Sequence, residues 1–310
     1  MRYDLIVIGA GPAGLTAALY GARAGKRVLL VEALAVGGQI LASQKIENYP
    51  ALPEADGYTF AEHLQSQVTA IGVQIEYGTA TAVRKQEDGF AVELGTKTVL
   101  AISVILATGL KHRKLGVTGE EALIGRGVSF CATCDGMFFR GREVAVVGGG
   151  NTAVQDALVL SDFCSHVYLI HRRRELRAER GLVGRMLARE NIEFLTDTVI
   201  SEIRGEGRVS SLLLSNVATG DVRELNVAGL FEAIGQIPQN EAFRDLIELD
   251  ADGYFIVNEE MKTSVEGIFA AGDACRKTVR QLTTAVADGT VAALSAAAYI
   301  DAFKERGEHL

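Results

Sequence analysis

Proline is scarce in this 310-residue chain, at 4 residues, and cysteine is no commoner, also at 4. So few cysteines cannot build the dense disulfide framework of a small secreted domain. Positive charge is in deficit: 31 Lys and Arg stand against 39 Asp and Glu, a net charge of -8. That balance argues against a nucleic-acid partner, which needs clustered basic residues. No window approaches the roughly 18 uncharged apolar residues of a membrane span. The most apolar stretch, 283–300, is interrupted by Asp288 and rich in small residues, as a buried helix would be. The chain does not open on a basic segment, a longer apolar region and a small-residue cleavage site, so no signal peptide is expected and the location expected is cytoplasmic. The 48% hydrophobic and 23% charged content is ordinary for packed domains and excludes a disordered chain. Against so little proline, 34 glycines stand out. Loop-rich, low-complexity chains raise both residues, so these glycines answer specific backbone demands.

An internal repeat shows where. The apolar run Leu5-Ile6-Val7-Ile8 leads into Gly9-Ala10-Gly11-Pro12-Ala13-Gly14 and then a helical segment beginning at Leu15. Val144-Ala145-Val146-Val147 leads in the same way into Gly148-Gly149-Gly150-Asn151-Thr152-Ala153, with a helix from Val154. Each copy continues with a second apolar run (28–31 and 167–170) and a later strand ending in glycine, at Gly109 and Gly235. Strands alternating with helices predict an α/β fold with parallel βαβ units. A further strand signal, 267–273, follows the second copy and has no counterpart before Gly148. The second domain is therefore expected to be inserted into the first: residues 1–113, then an inserted domain at 114–243, then the first domain again at 244–310. The fold class expected is two Rossmann-like three-layer (β/β/α) dinucleotide-binding domains.

Gly9, Gly11 and Gly14 satisfy G-x-G-x-x-G. In that motif the glycines permit a tight turn, close approach to a pyrophosphate and close helix–strand packing. The pyrophosphate sits on the unpaired N–H groups at the helix start. Gly148, Gly150 and Ala153 fit the G-x-G-x-x-A variant. The residues that follow divide the two sites. Glu32 lies 23 positions after Gly9, where a carboxylate accepts hydrogen bonds from an unmodified adenine ribose. The same offset from Gly148 reaches His171, followed by Arg172, Arg173 and Arg174, with Arg177 a turn further on. A carboxylate repels a 2′-phosphate and arginines pair with one through fork-like contacts. The first site is thus read as suited to a dinucleotide lacking the 2′-phosphate, such as FAD, and the second as favouring NADP(H). A solvated basic run is the plain alternative, and Glu175 and Glu179 nearby favour it. The position at a strand end favours the phosphate reading.

Cys131-Ala132-Thr133-Cys134-Asp135 places two cysteines at the spacing of a redox-active disulfide. A structural zinc would need two more soft ligands; Cys164 and Cys275 are isolated, and His63, His112, His166 and His309 show no paired spacing. No metal site is expected. Asp135 could pass a proton to a departing thiolate, and could equally serve as a turn or cap residue. Cys164 reads as core, and Cys275 receives no role.

With these segments in view, the chain resembles the low-molecular-weight, bacterial-type thioredoxin reductases over nearly its whole length. The resemblance rests on the Gly9–Gly14 turn, Gly37-Gly38-Gln39, Ile46-Glu47-Asn48-Tyr49-Pro50, Ala107-Thr108-Gly109 and Cys131-Ala132-Thr133-Cys134-Asp135-Gly136. It rests further on the Gly148–Ala153 turn, His171-Arg172-Arg173 with Arg177, Gly272-Asp273 and Arg280-Gln281. It implies FAD in the first domain, NADPH in the second, and a homodimer. Residues matching Gln39, Asn48, Asp273 and Gln281 serve the flavin ring in that family. Electrons are implied to pass from NADPH through FAD to a Cys131–Cys134 disulfide and on to thioredoxin. Cys134 then faces the flavin, Asp135 is the acid and Cys131 attacks the disulfide of thioredoxin. The family rotates one domain against the other so that nicotinamide and disulfide take turns at the flavin.

Some positions depart from the family pattern. Ala51 stands where glycine is usual, Gln239 precedes Asn240, and Cys275 follows Gly272-Asp273-Ala274. Three other readings share parts of the pattern. One keeps the electron chain but serves a peroxiredoxin or glutaredoxin-like acceptor. Another is a ferredoxin–NADP reductase, which Cys131 and Cys134 count against. The last is a non-catalytic nucleotide sensor, which would predict degenerate motifs, whereas these are intact.

Overall fold

A computed structural model describes residues 2–43, 45–52 and 55–307; His309 lies outside the described residues. The chain divides into two compact units, Met1–Lys111 with Ile237–Leu310, and His112–Gln236. Residues 237–243 fall in the first unit, so the second crossing comes earlier than the expected 243/244 boundary. Asn240 supplies a physical reason. It is 1% exposed, its Oδ1 accepts from Thr108 Oγ1 at 2.6 Å, and its Nδ2 donates to Gly253 O and Ala274 O at 2.9 and 3.1 Å. All three partners belong to the first unit, and a buried amide keeps the segment that satisfies it.

In the first unit, strand Arg2–Ile8 pairs in parallel with Val28–Glu32 on one side and with Lys97–Leu106 on the other. Gln74–Tyr77 extends the sheet beyond Val28–Glu32, and Ile268–Ala270 pairs in parallel with the C-terminal end of Lys97–Leu106. The N-terminal end of that long strand turns into an antiparallel meander with Gly89–Leu94 and Ala80–Gln86. Because side chains alternate along a strand, the central strand feeds two cores. Leu5 and Val7 pack with helix residues Leu15, Ala18, Ala292 and Ala296, while Ile6 and Ile8 pack with Phe90, Val92 and Val99 of the meander. The result is three layers: helices, parallel sheet, antiparallel sheet. The closing helix runs Leu282–Gly307, longer than the apolar stretch suggested. Among the described residues it alone is long and apolar enough to cross a membrane; its Ala292, Ala293, Ala296 and Ile300 belong to the core.

The second unit repeats the plan. A five-stranded parallel sheet is ordered Ile192–Leu195, His166–Ile170, Glu143–Gly148, Gly229–Ala233, Val128–Ser129. Val144, Val146, Val167 and Leu169 pack on helices Asn151–Ser161 and Arg180–Leu187. Ala145, Val147 and Ile170 pack on the three-stranded antiparallel sheet Thr198–Arg204, Ser211–Asn216, Val222–Asn226.

Candidate functional site

Each unit presents a strand, a glycine turn and the N-terminus of a helix. In the first, helix Pro12–Arg23 starts after Gly11 with Pro12 in the first turn and no side-chain cap, so its leading N–H groups are unclaimed by side chains. Gly9 sits at φ +101°, and a Cβ on Gly14 would fall 1.7 Å from Gly9 O, so the turn closes only with glycine at both positions. A Cβ on Gly11 would come no nearer to any atom than Gly37 O at 3.9 Å, which leaves the helix end open for a pyrophosphate. Glu32 reaches back under the turn: Ala10 N–H donates to its Oε2 at 2.7 Å and Leu34 N–H to its Oε1 at 2.8 Å.

The other residues matched to a flavin site gather in the same unit. Gln39 Nε2 donates to Leu110 O, and Asn48 Nδ2 donates to Gln281 Oε1 at 3.2 Å. Gly38 approaches Gly11 closely, a Cβ on Gly38 lying 3.3 Å from Gly11 Cα. Thr108 is tied to Asn240, and Ala107 and Gly109 flank it after the strand. Arg280 donates to Asp273 O and Cys275 O at 3.3 and 3.4 Å and lies 4.4 Å from the Tyr254 ring centre, so its own interactions are with protein. Asp273 Oδ1 is buried with no hydrogen-bond donor. Burial pushes the Asp273 carboxyl up, against the pull of Lys277 and Arg280. An orphaned buried oxygen calls for a donor, and the hydroxyls of a dinucleotide provide one. The residues present fit FAD.

In the second unit, helix Asn151–Ser161 starts after Gly150, again without a side-chain cap, and a Cβ on Gly150 would meet open space. Ala153 is fully buried and Thr152 exposed. His171 lies at the end of strand His166–Ile170 and is 7% exposed, its ring so close to Gly149 that a Cβ there would fall 2.1 Å from it. Burial, reinforced by Arg172 and Arg177, holds the imidazole below its ordinary pKa. The arginine loop is fastened over the turn. Arg177 N–H donates to Gly149 O at 2.7 Å, while Asn151 accepts from Glu179 N–H at 2.8 Å and donates to Glu179 Oε1 at 3.1 Å. Arg174 pairs with Asp197. Arg172, Arg173 and Arg177 are exposed and, among the described residues, make no ion pair. Three unclaimed guanidinium groups beside a helix N-terminus fit a phosphate monoester. Gly235 follows the strand Gly229–Ala233 at φ +112°.

The cysteine pair belongs to this same unit. Cys131 and Cys134 form a disulfide, with Cα atoms 5.3 Å apart, across the single turn Ala132–Asp135. That turn packs against helix Asn151–Ser161, which carries the phosphate turn at its start. Both cysteines are half-buried. Asp135 is half-buried too and accepts a 2.6 Å hydrogen bond from Ser129 Oγ; Ser129 Oγ in turn accepts from Cys131 N–H at 3.1 Å. Burial pushes the Asp135 carboxyl up and the Ser129 hydrogen bond opposes it. The cap reading for Asp135 has no support, since its carboxylate goes to Ser129 rather than to a helix N–H. Cys164 and Cys275 are buried free thiols, pushed by burial to about 11 and about 12, and so inert. Among the described residues no His, Cys, Asp and Glu group could hold a metal.

Sequence reasoning did not single out Ser129, Asn240, Lys277 or Asp288. Ser129 stood two residues before Cys131 without any spacing rule to mark it. Asp288 was noted as a break in an apolar run, a signal that could have been followed to its partner.

A half-buried disulfide packed on the helix that follows one of two glycine turns, with a carboxyl beside it, defines a pyridine nucleotide-linked disulfide reductase. The family model for pyridine nucleotide-disulphide oxidoreductases matches residues 3–289. Thioredoxin reductase of Treponema pallidum is 47% identical over 96% of this chain and 97% of its own length. That of Bacillus subtilis is 40% identical over 98% of this chain and 95% of its own length. The crystal structure of Streptococcus pyogenes thioredoxin reductase superposes with a TM-score of 0.94 at 40% identity, covering 97% of this chain and 99% of that one. The chain belongs to the low-molecular-weight thioredoxin reductases of the pyridine nucleotide-disulphide oxidoreductase family.

Proposed function

We infer that the chain is an NADPH-dependent flavoprotein whose electrons pass through FAD to the Cys131–Cys134 disulfide and then to thioredoxin. The observation that carries this is the placement of that disulfide on the helix of the arginine-flanked turn. FAD, when bound, supplies a two-electron carrier that links a nicotinamide to a disulfide. We assign FAD to the first unit through the Gly9–Gly14 turn, Glu32 and Asp273. NADPH is assigned to the second through the Gly148–Ala153 turn and Arg172, Arg173 and Arg177.

Reduction of the disulfide takes two electrons and two protons and yields two thiols. Cys134 is assigned as the sulfur facing the flavin and Cys131 as the one facing the acceptor. The Cys131 thiolate attacks one sulfur of the thioredoxin disulfide, forming a mixed disulfide and releasing the other as a thiolate. The Cys134 thiolate then attacks Cys131 Sγ, restoring the Cys131–Cys134 bond and releasing the second thioredoxin thiolate. Asp135, whose carboxyl burial pushes up against the opposing Ser129 hydrogen bond, is assigned as the acid that gives a proton to a departing thiolate. Met137 and Phe138, 49% and 39% exposed just beyond the redox turn, give a protein acceptor apolar surface to contact. Such a dithiol cycle suits a reducing compartment, the cytoplasm, and the family suggests a homodimer.

The test compares NADPH, NADH and reduced ferredoxin as donors, with thioredoxin as acceptor. NADPH is expected to be the efficient donor. Equal rates with reduced ferredoxin, or no thioredoxin reduction with any donor, would contradict the assignment.

A further inference from the structure

The first unit holds an ion pair at the base of the flavin-side turn, outside the residues matched to the family pattern. Helix Leu282–Gly307 carries Asp288, whose Oδ2 accepts from Gly272 N–H at 3.1 Å and from Lys277 Nζ at 2.6 Å. Both side chains are largely buried, at 17% exposure for Lys277 and 16% for Asp288. The same ammonium lies 3.8 Å from Asp273 Oδ1, the buried oxygen that has no hydrogen-bond donor. Gly272 has φ +81°, and a Cβ there would fall 2.8 Å from Ala13 Cβ. A Cβ on Gly289, the residue after Asp288, would fall 2.2 Å from Ala13 O. Three elements therefore converge with no side-chain padding: the Gly272 turn, the closing helix, and the first turn of helix Pro12–Arg23.

In that setting a carboxylate does what packing alone does not. It fixes the Gly272 N–H by direction and holds the lysine beside Asp273. Removing one partner of a buried pair strands the other charge, so the pair resists small displacements of the turn. We propose that Asp288 and Lys277 are positioning residues that clamp the Gly272–Asp273 turn against the phosphate helix, aiming Asp273 Oδ1 at a hydroxyl of bound FAD. This rests on the assignment of FAD to the first unit.

Full-length wild type, Asp288→Asn, Lys277→Met and Lys277→Arg are stripped of flavin and titrated with FAD. Flavin fluorescence gives the Kd, and visible circular dichroism reports the environment of the bound ring. Asp288→Asn and Lys277→Met are expected to raise the Kd roughly tenfold, the factor that corresponds to about 1.4 kcal/mol, and to alter the dichroism. Lys277→Arg is expected to restore both, with the flavin-free unfolding temperature unchanged. Should flavin-free Asp288→Asn fail to fold, the two Lys277 variants decide alone. Wild-type Kd and dichroism in Lys277→Met overturn the clamp. Loss of affinity to the same extent in Lys277→Arg as in Lys277→Met also overturns it. A wild-type protein that takes up no FAD overturns the underlying assignment instead.

Discussion

The two units solve one backbone problem and then diverge at a single strand end. Both use strand, glycine turn and uncapped helix. In the first, Glu32 binds the turn from below through Ala10 N–H and leaves an anionic strand end. In the second, His171 occupies the equivalent place, buried against Gly149, and the exposed charges that follow are Arg172, Arg173 and Arg177. The glycines leave an open, uncapped helix start common to both. On the proposed assignment, the next residues separate the two dinucleotides by charge: a carboxylate in one unit, exposed arginines in the other.

That comparison can be broken at several points. The largest effect is expected from Cys134→Ser, because only the second unit carries the redox pair: thioredoxin reduction should fall by roughly a thousandfold or more. Steady-state turnover near the parent rate would place the chemistry elsewhere. Replacing Arg172 and Arg177 together by Ala should raise the KM for NADPH by about 10- to 100-fold, the loss of charge-assisted contacts. The KM for NADH should hardly move, and equal changes would remove the phosphate role from the cluster.

Two further effects are pH-dependent. Ser129→Ala removes the hydrogen bond that lowers the Asp135 pKa, so the carboxyl should stay protonated to higher pH. The alkaline limb of the pH–rate profile for thioredoxin reduction should then shift upward; a downward shift or none would separate Asp135 from proton transfer. Glu232, 4% exposed on strand Gly229–Ala233, is pushed up to about 8 by burial and by nearby Glu120, with Lys114 opposing. Glu120 is engaged by the N–H groups of Leu115, Gly116 and Val117. A raised folded-state pKa stabilises below the unfolded value and is lost as pH rises. Thermal stability should therefore decline between about pH 4.5 and 8, and Glu232→Gln should flatten the decline. The smallest effect concerns Ala51, a non-glycine residue that sits at φ +64°. Ala51→Gly should stabilise by at most about 1 kcal/mol, measured by thermal unfolding.

Most of the site was legible because its chemistry is local in sequence. The phosphate turns, the Cys131–Cys134 spacing and the Glu32-against-His171 contrast all lie within one βαβ unit or one turn. What the sequence hid is held together by long-range contacts between ordinary residues. Asn240 fixes the second crossing by bonding Thr108 and Ala274, far apart in the chain. Lys277 and Asp288 meet only because a turn and a helix fold together. Ser129 is close in sequence to Asp135, but it is the chain's path through the bend at Phe130 that brings its hydroxyl to the carboxylate. Arg280, matched as part of Arg280-Gln281, is tied to Asp273 O, Cys275 O and the Tyr254 ring, contacts that its place in the sequence does not announce.

The electron path through both units is tested most directly by anaerobic titration of the flavin-loaded protein with NADPH, followed at the flavin absorption band. One flavin and one disulfide each take two electrons, so full bleaching is expected to need about two equivalents of NADPH per chain in the wild type and about one in Cys134→Ser. Identical titrations of the two proteins would contradict electron transfer from the flavin to the Cys131–Cys134 disulfide.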